Sequence, residues 1–235
     1  MRREMCDEVR ILQERFDGAI RRWIDGYARG GGRIHCARGC SACCSLTVNC
    51  TFTEAVRTAD AITDHQAAAV AEHVARLRQL LPRARDLTDW LRLHRREAGY
   101  CPFLDNNGAC GVYAVRPFSC RALLATRESR WCGADFSELS SEEKRGFVEG
   151  LDRSVVAFPT HYVAATRDQG EELEQRSALA LMTRFSFSLY GSFPVLVHLE
   201  REHRLSDLLP RGADAVRHLL EREGLSHPFL AAIHD

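Results

Sequence analysis

Eight of the ten cysteines in this 235-residue chain fall into two groups. Cys36, Cys40, Cys43 and Cys44 crowd into the stretch CARGCSACC, with spacing C-x3-C-x2-C-C. Cys101, Cys110, Cys120 and Cys132 form a second, widely spaced set. Soft thiolates select zinc, copper(I) or iron–sulfur clusters, and each centre usually takes four ligands. The two groups could therefore supply two centres or one polynuclear one. Cys43 and Cys44 are neighbours and leave the backbone in different directions. They serve different metals, or one binds while the other supports it. Cys6 and Cys50 have no ligand-spaced neighbour and are expected to pack as small apolar side chains.

The spacing leaves the metal open between iron–sulfur and zinc. Cys40-x2-Cys43 fits a zinc knuckle, but no second C-x2-C pair completes it. C-x3-C-x2-C with a distant fourth cysteine is one residue from the plant-type iron–sulfur spacing. The same three thiols have the spacing of the radical S-adenosylmethionine loop, yet that chemistry needs a β/α barrel and the following segments read as helices. A redox dithiol at Cys40 and Cys43 lacks its βαβ setting. Arg38, Arg116 and Arg121 adjoin ligand candidates and could offset thiolate charge. His35 reads as an exposed neighbour of Cys36. His198 and His203 are five apart rather than four, so no zincin pair is implied. The arginines at 83, 85, 92, 95 and 96 alternate with Asp86, Asp89 and Glu97, the pattern of a solvated helix face.

CARGCSACC together with CPFLDNNGACGVYAVRPFSCR resembles the YkgJ-type cysteine-cluster family, a zinc- or iron-chelating domain. The family pattern is a cysteine, C-x2-CC, CPFL, a short turn, a cysteine and tyrosine, then RP-x2-CR. Cys36, Cys40, Cys43 and Cys44 match its first half. Cys101-Pro102-Phe103-Leu104, Cys110 with Tyr113, and Arg116-Pro117 with Cys120-Arg121 match its second. The resemblance covers residues 34–125 and implies metal binding through these thiols; Cys132 lies beyond its motifs and joins the set as an eighth candidate ligand. Flagellin lysine methylases carry a similar cysteine pattern, so the resemblance also admits a metal-dependent enzyme such as a protein lysine methylase-like or S-adenosylmethionine-using protein.

The elements that must position these thiols read as mainly helical. Val9, Leu12, Phe16, Ile20, Trp23 and Tyr27 recur at steps of three or four and mark one face of a first helix, ended by the glycines at 30–32. Thr51 with Glu54, and Thr63 with Gln66, look like capping boxes. The second opens a helix bearing Val70, Val74, Leu77 and Leu81, and a shorter helix follows over 87–96. Asn107-Gly108 between apolar pairs predicts one β-hairpin. Ser140 or Ser141 starts another helix, and further helices are expected over 171–190, 194–204 and 212–223.

The expected architecture is a helical protein with a small irregular cysteine-rich metal-binding module containing one hairpin. Its divisions are an N-terminal helix and joint over 1–32, the module over 33–135 and a helical region over 136–235. At 45% hydrophobic and 27% charged, the composition is globular. Thirty-two basic residues balance thirty-two acidic ones, so no net field draws nucleic acid or an anionic membrane. The longest uncharged run is too short for a membrane span. A cytoplasmic protein with reduced thiols is expected, its role structural, sensory or electron-transferring, with the C-terminal helices available to a protein partner.

Overall fold

The computed structural model describes residues 1–37 and 39–235. Arg38, one of the arginines expected beside the thiols, lies outside the described residues. Helix α1 spans Arg2–Arg29 and buries Met5, Val9, Gln13, Phe16 and Ile20, the face its periodicity marks. Both expected capping boxes form: Thr51 and Glu54 open α2 (Phe52–Ala61), and Thr63 and Gln66 open α3 (Asp64–Leu80). Ser140 and Glu143 make a third at α7 (Ser141–Glu149). Such caps satisfy amides the first helical turn leaves free, each worth about 1 kcal/mol.

Between these, α4 (Leu87–Leu93) runs directly into a π-helical turn, His94–Ala98. The hairpin is a tight turn closed by a single antiparallel bridge between Leu104 and Cys110. Asp105 holds it by accepting from the Asn107 and Ala109 amides, and Gly108 supplies the positive φ of 73°. The chain then passes into a 3-10 turn at Tyr113–Val115 and into α5 (Phe118–Ala122), so no second strand continues the ladder.

After α6 (Arg130–Gly133) and α7 comes α8 (Ala164–Phe185), which stops short of the expected end at 190. Ser186 is left-handed, at φ 65°, and the chain turns into a strand. The pattern Phe185-Ser186-Phe187-Ser188-Leu189 alternates with period two, a strand signal hidden inside an apparent helix. A three-stranded antiparallel sheet results that the pattern reading did not foresee. Its order is β1 (Asn49–Thr51), β2 (Ser188–Ser192), β3 (Ala231–His234), with Cys50 opposite Gly191. Helices α9 (Phe193–His203) and α10 (Ala213–Arg222) complete the chain.

The main core packs α2, α3 and α9 over this sheet and takes in Met5, Leu77, Phe103, Leu196 and Val216. A second cluster joins the α1 stripe to Phe118 and Ala122 of α5 and to Val163. Helix α8 crosses α5 closely at Gly170, where a Cβ would stand 2.8 Å from that of Ala122. Among the described residues no helix is long and apolar enough to cross a membrane.

Candidate metal centre

The block Arg116-Pro117-x-x-Cys120-Arg121 runs from the end of the 3-10 turn into α5 beside α1 and α2, so the backbone polar groups ahead of the helix need partners. Side chains provide them. Arg121 donates to the carbonyls of Ala114 at 2.7 Å and Arg116 at 2.8 Å. Thr58 donates to the Val115 carbonyl at 3.0 Å, and Gln13 to that of Arg116 at 3.2 Å. Glu54, fully buried, accepts from the Phe118 amide at 2.6 Å while still capping α2 through Thr51 at 2.9 and 2.8 Å. Arg121 is only 2% exposed and pairs with Asp17 of α1. This corrects the expectation that Arg121 offsets thiolate charge: its guanidinium is spent on the backbone and on α1.

Held this way, Arg116 and Cys120 line a cavity of about 570 Å³. Cys40, Cys43 and Cys44 line it from one segment, and Cys101, Cys110 and Cys120 from the other. The Cys101 amide donates to the Cys44 carbonyl at 2.8 Å, tying the two segments at the cavity wall. Cys36 and Cys132 are not among the lining residues. Cys36 is exposed and accepts from the Ala125 amide at 3.3 Å. Cys132 is buried, with its sulfur 3.2 Å from His161 Nε2. Among the described residues, no three His, Cys, Asp or Glu side chains are drawn close enough to share one ion. The thiols therefore surround a common space rather than converge on a point.

Arg116 supplies the local positive charge. Its guanidinium lies 3.7 Å over the Tyr113 ring, and its Nε is buried without a hydrogen-bond partner. It favours the thiolate forms of Cys36, Cys43, Cys110 and Cys120. Burial works the other way, pushing Cys101 up to about 12 and Cys120 well above the ordinary thiol value. Cys43 drops to about 7, chiefly because the Cys44 thiol donates to it, with Arg116 assisting. Cys44 rises correspondingly, as the member of the pair that keeps the proton.

Cys50 is fully buried in the main core, and Cys6 points its sulfur to Asp60 at 3.6 Å. The His35 amide donates to the Ala125 carbonyl at 2.9 Å, and His198 packs edge-on against His203 at 5.8 Å between ring centroids. Three histidines escaped the pattern reading: His73 and His94 on the cavity wall, and His161 beside Cys132. His73 carried a signal, since it shares the apolar face of Val70, Val74 and Leu77. His161 had none, because it comes to Cys132 from a distant loop.

Soft donors dominate this wall, a fixed cation faces them, and the space suits a metal group. A water molecule takes about 30 Å³ of liquid volume, so the cavity has room for more than a single ion. Fold and site thus define a helical protein that gathers thiols from two distant segments around one cavity. Residues 35–142, a little under half of the chain, match the CxxCxxCC family, described as "Putative zinc- or iron-chelating domain". The matched stretch is similar to this cysteine-cluster family, in keeping with its YkgJ-type motifs, and contains all eight grouped cysteines. Neither a curated protein nor a solved structure matches the chain.

Proposed function

We propose that the cavity holds an iron–sulfur cluster or zinc, ligated from among Cys40, Cys43, Cys44, Cys101, Cys110 and Cys120, with Cys36 and Cys132 at its margin. The observation that carries this reading is the meeting of two segments, far apart in sequence, around one thiol-lined space. An iron–sulfur group would supply one-electron chemistry or redox sensing, and zinc would supply cohesion. The room in the cavity favours the polynuclear group. Arg116 offsets the negative charge of several thiolates. The setting is a reducing compartment, where the thiols stay free to ligate.

Because Cys101 and Cys120 are held protonated by burial, metal uptake must displace their protons. Affinity should therefore rise with pH, with proton release on loading. The deciding test is iron, zinc and acid-labile sulfide analysis of protein purified without oxygen, on wild type, Cys40→Ser and Cys120→Ser. Wild type should carry metal and each variant should lose most of it, since serine is a poor ligand for soft metals. A folded, metal-free wild type with freely titrating thiols would sink the reading.

A further inference from the structure

The thiols are not the whole wall of the cavity. His73 of α3 and His94, which opens the π-helical turn after α4, line it as well. Both are buried, at 1% and 6% exposure, and their rings meet edge-on with centroids 5.9 Å apart. In each ring Nδ1 is buried without a hydrogen-bond partner.

The surroundings of both rings resemble those of ligating histidines. A backbone carbonyl stands beside each, that of Ala98 for His73 and that of Ser45 for His94. Metal-bound imidazoles commonly give one ring N–H to such a carbonyl, which fixes the tautomer and leaves a lone pair on the other nitrogen. Ser45 directly follows Cys44, so His94 approaches the cavity next to the paired cysteines.

We propose that His73 and His94 supply imidazole nitrogen to the metal centre of this cavity, which therefore takes mixed sulfur–nitrogen coordination instead of sulfur alone. This rests on the metal-centre reading above and narrows it. Imidazole suits zinc and iron, whereas a purely soft ion such as copper(I) gains little from it. The competing role is packing only, His94 lying edge-on to Trp90 at 6.1 Å.

The test uses the full chain loaded with cobalt(II), whose visible bands move to longer wavelength as sulfur replaces nitrogen in its coordination shell. His73→Ala and His94→Ala should each change the position or intensity of those bands and weaken cobalt affinity by at least about 10-fold, with the far-ultraviolet dichroism unchanged. Unchanged bands and affinity in both folded variants would overturn the proposal. Should either variant fail to fold, zinc-loaded wild type labelled with 15N-histidine decides. Two ring nitrogens moving to the metal-bound position support imidazole ligation, and rings that keep the free neutral pattern overturn it. A sulfur-only spectrum in metal-loaded wild type defeats this proposal alone. A wild type that takes up neither cobalt nor zinc defeats the metal-centre reading, and this one with it.

Discussion

The two thiol-bearing segments meet at one cavity but are built differently. Around Cys120 the chain is cross-braced: Gln13, Thr58, Glu54 and Arg121 hold successive backbone groups from Ala114 to Phe118, from two helices and from α5 itself. Around Cys40, Cys43 and Cys44 the described hydrogen bonds are short turns within the segment, with the Cys101 amide reaching in from outside. One wall is held by side chains from other elements. The other is held chiefly by its own turns. The difference is one of bracing: Arg116 and Cys120 sit in the cross-braced half, and Cys40, Cys43 and Cys44 in the half that depends on local backbone turns.

Stripping the metal should separate the two halves most strongly. Structural zinc contributes roughly 10–16 kcal/mol of apparent binding energy in small peptides, and such energy becomes folding energy. With chelator present, amide exchange should quicken sharply over residues 39–46 and little over 114–121. Equal loss in both would erase the contrast. Glu54→Ala attacks the braced half next. It leaves the Phe118 and Thr51 amides buried without an acceptor, so unfolding in urea should show about 3 kcal/mol lost, with metal content falling as Cys120 shifts.

The two arginines of the same block make a finer comparison. Arg121→Met should destabilise by about 2 kcal/mol, because the carbonyls of Ala114 and Arg116 lose donors, while the spectrum of the bound metal stays as it was. Arg116→Gln should do the reverse, leaving the melting temperature nearly unchanged and weakening metal affinity by about 10-fold through loss of the charge facing the thiols. If both variants moved the same observable, the separation of roles drawn here would be wrong. The smallest effect belongs to Cys6→Ser, half-exposed and bonded to Asp60, which should alter stability by less than about 0.5 kcal/mol and metal content not at all.

Much of this was legible in the residues themselves, for local reasons. The α1 stripe follows from a period of 3.6, and the caps at Thr51, Thr63 and Ser140 from a side chain three residues ahead of its partner. Ligand spacing in CARGCSACC and CPFL…RPFSCR marked the thiol groups without any knowledge of where they lie. These signals reach across only one or two turns of chain. Tertiary structure decided the rest. It paired three strands too short and too distant to announce one another, and turned Arg121 to α1 but Arg116 to the thiols. It also set six cysteines around one cavity, leaving Cys36 and Cys132 outside its wall, and brought His73 and His94 to it. Spacing specifies which side chains can share a local face. Which distant faces meet depends on how the whole core packs, and no short pattern carries that information.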